Sequence, residues 1–306
     1  VPVPTWVPPT SEERIVVTPD SARAPEGQKV GETHHFEFYV PDGTFPAAVP
    51  DLPEQAEIIF DDVSARLGIS AKQKTRVTFR LPSPLPCPPR GLAGVNPPSI
   101  FIYADDETSR DQIFGVLAHE VGHILIMTRF TRIPRALNEG LATWASAPYF
   151  NLWLGNASLD AAVRSYLQDA TYLPLHQNYY LTGIDAGTEE RSSASCIARR
   201  EILYIEWASF LGHLIERHGM ERLEALIRTV PEPEMTDAGI ALKPADFETI
   251  YGSSLNQLEA AWLRHILGQR RSAAAVTGTA TTSAGRRGRM NAQLTRRRKL
   301  VEYRSL

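Results

Sequence analysis

Leu117-Ala118-His119-Glu120-Val121-Gly122-His123 is the stretch on which the reading of the fold turns. In a helix, two histidines four residues apart project from one face, one turn from each other. That spacing lets both imidazoles bind a single Zn²⁺ at about 2.0–2.1 Å each. Glu120 follows the first histidine and can lean over an open position on the metal, where it would take a proton from water. The geometry requires a helix, and the flanking residues supply one. Ile113, Leu117, Val121, Ile124 and Leu125 recur at helical spacing, and Asp111 falls in the first turn, so 109–129 is predicted as one long helix.

This is the H-E-x-x-H pattern of zinc metallopeptidases. A catalytic zinc takes a third protein ligand and keeps one position open. The next helix candidate, 135–147, contains Arg135-Ala136-Leu137-Asn138-Glu139-Gly140-Leu141-Ala142. A turn over 131–134 would let this helix fold back and return Glu139 to the metal. Gly140 and Ala142 have little volume, which permits close packing against the histidine-bearing helix. In isolation Glu139 reads as a solvated helix carboxylate. With the histidine pair upstream it reads as the third ligand.

Upstream of the motif, 33–40 (THHFEFYV), 75–81 (TRVTFRL) and 99–103 (SIFIY) read as strands. Between the first two, 52–67 carries apolar residues at helical spacing and stops at Gly68. Residues 82–98 hold seven prolines and read as a loop. Downstream, 159–168, 197–219, 220–229 and 254–267 read as helices. Strands first and helices afterwards argue an α+β fold, not an alternating α/β one. The expected organisation is a Pro-rich leader over 1–27, a small αβ lobe over 28–108, a helical lobe over 109–269 and a tail from 270. The two lobes would share one cleft.

Composition narrows the class. Apolar residues form 43% and charged residues 22% of the 306, proportions of a globular chain and not of a disordered one. No run of 18 apolar residues is present, so no transmembrane helix is expected. Two cysteines, Cys87 and Cys196, exclude a disulfide-rich scaffold and a cysteine-based zinc finger. They could pair in an exported protein or remain free thiols. Ten Lys/Arg and one Glu between residues 270 and 306 give +9, against −3 for the whole chain, so the remainder carries −12. An acidic body thus has a basic, low-complexity tail. The tail reads as solvated and disordered, or as a weak nonspecific attachment to nucleic acid or anionic lipid. The Pro-rich start would suit a mature extracellular or cell-envelope protein, or a spacer.

The zinc motifs carry a family resemblance. His119-Glu120-Val121-Gly122-His123 followed by Leu137-Asn138-Glu139-Gly140-Leu141-Ala142 resembles the gluzincins, metallopeptidases whose third ligand is a glutamate. The Asn-Glu-Gly run is closer to the aminopeptidase N-like branch and the peptidase MA-like domains than to thermolysin, which would place Asp where this chain has Thr143. Tyr204-Ile205-Glu206-Trp207 through His218-Gly219, and Phe247 through Gly252 with Trp262, resemble the later helices of peptidase MA-like domains. The resemblance covers about residues 33–267 and implies a zincin-like fold with one zinc per chain and a peptide or protein substrate. It implies His119, His123 and Glu139 as metal ligands and Glu120 as general base. Tyr204 occupies the position of the tyrosine that stabilises the oxyanion. It also reads as a buried helix tyrosine, with Tyr179 and Tyr180 as substitutes. The Gly-Ala-Met-Glu-Asn segment that grips a free amine in aminopeptidases is missing, since 91–96 reads Gly-Leu-Ala-Gly-Val-Asn. An extended substrate lying along 99–103 would suit an endopeptidase. The competing reading is a catalytically silent binding or scaffold protein on the same fold.

Overall fold

The computed structural model describes residues 27–41, 46–82, 87–178, 193–229, 235–236, 239–240 and 243–278. The Pro-rich leader up to residue 26, the tail beyond 278, Tyr179 and Tyr180 lie outside the described residues. The chain divides into two units, residues 1–266 and 267–306.

The first unit is mixed α+β. Its strands are β1 (Gln28–Glu32), β2 (Phe36–Val40), β3 (Thr75–Arg80), β4 (Gly91–Val95) and β5 (Pro98–Tyr103), in the sheet order β1-β2-β3-β5-β4. β2, β3 and β5 run parallel, and the outer strands β1 and β4 pair antiparallel to their neighbours. Phe36, Phe38 and Val40 alternate inward with none more than 4% exposed, the period-2 pattern of a half-buried strand. α1 (Leu52–Leu67) buries Leu52, Ala56, Ile59, Phe60, Val63 and Leu67 and ends at Gly68, whose φ of 66° only glycine adopts without strain. His35 does not begin a strand. It sits just before β2, donating Nδ1 to Glu57 of α1 at 2.6 Å and stacking on Phe60.

α2 (Arg110–Arg129) starts where Ser109 accepts from the Gln112 amide, and its residues 113–126 are buried without a break. A helix apolar on every face is a central one. α2 packs on α1, on β4 and β5, and on α3 (Arg135–Ala145) and α4 (Ala147–Leu154). α5 (Leu159–Gln168), α6 (Ser193–His218), α7 (Met220–Arg228) and α8 (Pro244–Tyr251) follow. α9 (Leu255–Gly278) runs through Ile266, the last residue of the first unit, and continues in the second unit well past the expected end at Leu267, through an alanine run that favours helix. Buried polar ties link the helices: Trp262 Nε1 donates to Ser209 Oγ at 3.0 Å, and Ser209 donates to Asp160 at 2.6 Å. Glu259 of α9 accepts from the Leu175 amide at 2.8 Å and from His176 Nδ1 at 2.9 Å, which makes His176 a structural residue.

Three further expectations change. Residues 82–98 are not all loop: β4 lies within them. β1 begins the sheet at Gln28, ahead of residue 33. β5 is an interior strand with β3 on one side and β4 on the other, so its backbone is fully paired and no substrate can add to it; the edge belongs to β4.

Cys87 and Cys196 form a disulfide, with Cα atoms 5.8 Å apart and a sequence separation of 109. It fastens the segment before β4 to the start of α6. A cross-link closing so long a loop removes much entropy from the unfolded chain, by about 2–4 kcal/mol of stability. The Cys87→Ser/Cys196→Ser double variant is expected to melt about 5–10 °C lower than the oxidised protein in a calorimetric scan. An unchanged melting temperature would show that the cross-link stabilises nothing.

Candidate metal centre

α2 places His119, Glu120 and His123 in its middle, with exposures of 6, 5 and 7%. Glu139 comes from α3, which turns back on α2. Gly122 and Ala142 allow that approach: a Cβ on Gly122 would stand 3.0 Å from the Ala142 Cα. Gly140 has a different task from the one expected. It faces α6, where a Cβ would meet Leu211 at 2.8 Å and Trp207 at 2.9 Å. The small residues of α3 therefore serve two interfaces, one to each side of Glu139.

Three ligand atoms converge. His119 Nε2 and His123 Nε2 are 3.0 Å apart, and Glu139 Oε2 lies 3.2 Å from each. Each histidine is held through its other nitrogen. His123 Nδ1 donates to Asn138 Oδ1 at 3.1 Å, an oxygen that can only accept. His119 Nδ1 lies 3.2 Å from Thr143 Oγ1. In the tautomer with both Nδ1 atoms protonated, both Nε2 lone pairs face the carboxylate. Three acceptors then meet with no donor among them, an arrangement that a metal ion, or a second proton on one imidazole, satisfies. A tetrahedral ion with bonds of about 2.0–2.1 Å has ligand atoms about 3.3 Å apart, close to the triangle present here. Of the His, Cys, Asp and Glu side chains among the described residues, His119, His123 and Glu139 form a group that could hold a metal ion.

The electrostatics agree. Burial opposes charge on His123, but Glu139 and its hydrogen bond overcome this and push the imidazole up to about 9. Burial alone would raise Glu139, yet the two histidines hold it well below the usual carboxylate range. Burial lowers His119. The second oxygen of Glu139 is 3.8 Å from Arg135 Nε, one turn earlier on α3.

Glu120 is different. Burial first, and then Glu139, push its carboxyl up to about 7, against the pull of His123 and Arg200. Among the described residues nothing hydrogen-bonds its carboxylate, and its atoms are not sealed from solvent. Gly91, the first residue of β4, lies against it: a Cβ there would stand 2.5 Å from Glu120 Oε1 and 2.7 Å from Val116 Cγ1. The Tyr204 ring stacks on the His119 ring, with centroids 5.6 Å apart and planes 11° from parallel.

The structure thus brings together His119, Glu120, His123, Glu139 and Tyr204. It adds Asn138, Thr143 and Gly91, to which the sequence reading gave no role. Thr143 had a signal: it stands four residues after Glu139 on the same helical face, where a hydroxyl meets the back of His119. Gly91 had none, because its proximity to Glu120 depends on how β4 crosses α2. Asp105, in the acidic run before α2, accepts from Thr108 Oγ1 at 2.7 Å and from the Glu107 amide at 3.2 Å, a turn that leads into the helix.

No family model matches the sequence, and no curated protein matches it. Solved structures that resemble the chain include an M1 zinc metallopeptidase from Deinococcus radiodurans, at 17% identity and a TM-score of 0.41 over 78% of this chain and 50% of that one. A point mutant of that metallopeptidase matches at 15% identity and a TM-score of 0.39, over the same shares. A two-domain M1 zinc metallopeptidase mutant bound to L-tryptophan matches at 16% and 0.39, again over 78% and 50%. The chain spans about half the length of these structures. No helix among the described residues is long and apolar enough to cross a membrane.

Proposed function

We propose that this chain is a zinc-dependent metallopeptidase of zincin-like fold, with the helix of His119 and His123 at the floor of its cleft. The observation that carries the proposal is the triangle of His119, His123 and Glu139, with the unpartnered carboxylate of Glu120 beside it. His119, His123 and Glu139 would hold the zinc, which supplies a Lewis acid that polarises the scissile carbonyl and acidifies water.

Glu120 is the general base. It stands one residue from His119, with both oxygens free of hydrogen bonds among the described residues. It takes the proton of the attacking water and returns it to the leaving amine, so that no strong base leaves unprotonated. Asn138 and Thr143 fix the imidazole tautomers and keep Nε2 directed inward. Tyr204 is the candidate oxyanion donor, since its ring stacks on the ring of His119. β4 offers an extended peptide the edge backbone that β5 lacks. The Cys87–Cys196 disulfide supports an oxidising compartment, extracellular or in the cell envelope.

The test is metal content by atomic emission together with cleavage of a degenerate peptide library read by mass spectrometry. The expected result is about one zinc per chain and cleavage that a chelator stops and zinc restores. Zinc binding without cleavage of any peptide would favour the silent binding protein instead.

Gly91 gives a second test. Gly91→Ala drives a methyl group into the space of Glu120 Oε1 and Val116. It is expected to lower kcat about 10- to 100-fold with zinc content unchanged, since a base displaced by about 1 Å loses most of its reach. A wild-type kcat in Gly91→Ala would show that Glu120 needs no such clearance.

A further inference from the structure

The chemistry above makes no use of Arg200, whose position nevertheless calls for an explanation. Arg200 is 8% exposed. It stands on α6 four residues before Tyr204, on the same helical face as the ring that stacks on His119. Its Nη2 donates to the Pro88 carbonyl at 2.8 Å. Pro88 lies three residues before Gly91, the residue packed against Glu120. Arg200 is thus bracketed between α6 and the segment leading into β4, and its charge is felt at both His119 and Glu120.

Among the described residues, that carbonyl is its one hydrogen-bond partner, and no carboxylate lies within 4.0 Å of it. The acids that feel its charge, Glu120 and Glu201, lie beyond pairing distance, and Glu201 sits 3.8 Å from Arg90. A guanidinium this buried that is paired with no carboxylate is costly. Fastening the 87–91 segment does not account for it, because the Cys87–Cys196 disulfide joins the same segment to α6 one turn away. A planar fork with spare N–H donors beside the reacting centre matches a carboxylate in two-pronged fashion.

Resting on the peptidase reading, we propose that Arg200 is a specificity-determining residue that receives a substrate carboxylate near the scissile bond. That carboxylate is either the α-carboxylate of a C-terminal residue or the side chain of Asp or Glu.

Two degenerate peptide libraries, identical except for a free-acid or an amidated C-terminus, separate the first source. A pair differing only in Glu or Gln at internal positions separates the second. In one of these arms the carboxylate form is expected to be cleaved at least about tenfold faster. In Arg200→Met the ratio falls to within about threefold, and Arg200→Lys, which keeps the charge but not the fork, retains part of it. Equal rates in both arms for the wild type overturn the proposal without any variant. So does Arg200→Met slowing all peptides alike with the ratio intact, the result expected of a loop fastener. Calorimetric binding of the same peptide pairs to Glu120→Gln reads the selectivity without turnover. If the wild type cleaves nothing, the peptidase reading fails. Equal affinities for acid and amide, and for Glu and Gln, then overturn the role of Arg200 as well.

Discussion

Glu120→Gln is expected to cut peptide-bond hydrolysis by about 10²–10⁴-fold while the zinc remains at one per chain. The substitution keeps the side chain's length and volume, so the packing of Val116 and Gly91 around it is undisturbed. It removes only basicity. His119, His123 and Glu139 keep their mutual distances, and metal content is preserved. The pH profile supplies a second readout. Burial holds the Glu120 carboxyl up to about 7, and a dication held by its neighbours pulls it down from there. Below its pKa the carboxyl is protonated and cannot accept a proton, so wild-type activity falls on the acid side. That limb is absent from the residual activity of Glu120→Gln. Full activity in Glu120→Gln, with zinc bound, would remove Glu120 from the mechanism.

Glu139→Ala has the complementary outcome. Removing the carboxylate leaves two imidazoles facing one another with Nε2 atoms 3.0 Å apart and no anion between them. Zinc affinity is expected to fall by more than about 100-fold and hydrolysis to disappear with it. The same change lowers the proton affinity of His123, because Glu139 raises it more than Glu120 or Asn138 does. A histidine titration followed by NMR in metal-free protein should show the His123 pKa dropping. The two variants dissociate binding from chemistry: Glu120→Gln keeps the metal and loses turnover, and Glu139→Ala loses both. Wild-type zinc affinity in Glu139→Ala would exclude α3 from the metal site.

Elements whose signals are local were legible in the sequence. The α1 and α5 helices span the residues that apolar spacing and a stop or cap residue indicated, because helical periodicity and capping are properties of neighbouring residues. β4 was not legible. Gly91-Leu92-Ala93-Gly94-Val95 has weak strand propensity within a proline-rich segment, and pairing with β5 makes it a strand. α4 was missed: the expected helix ran over 135–147 and none was expected after it, although Pro148 in the first turn of α4 is a start signal. The interior position of β5 was equally hidden, since strand order arises from contacts between distant segments.

The candidate site divides along the same line. The sequence by itself determined that His119, Glu120 and His123 share one face of a helix, because the rise and twist of a single helix fix that relation. It also named Glu139 and Tyr204 as candidates. Only the tertiary structure decided that Glu139 Oε2 stands 3.2 Å from both imidazoles, that Asn138 and Thr143 hold their far nitrogens, that Gly91 makes room for Glu120, and that Arg200 lies buried beside them. Those relations depend on how α3, α6 and β4 pack around α2. Packing between segments far apart in the chain is set by the complementary shapes and volumes of whole faces, which no local pattern of residues records.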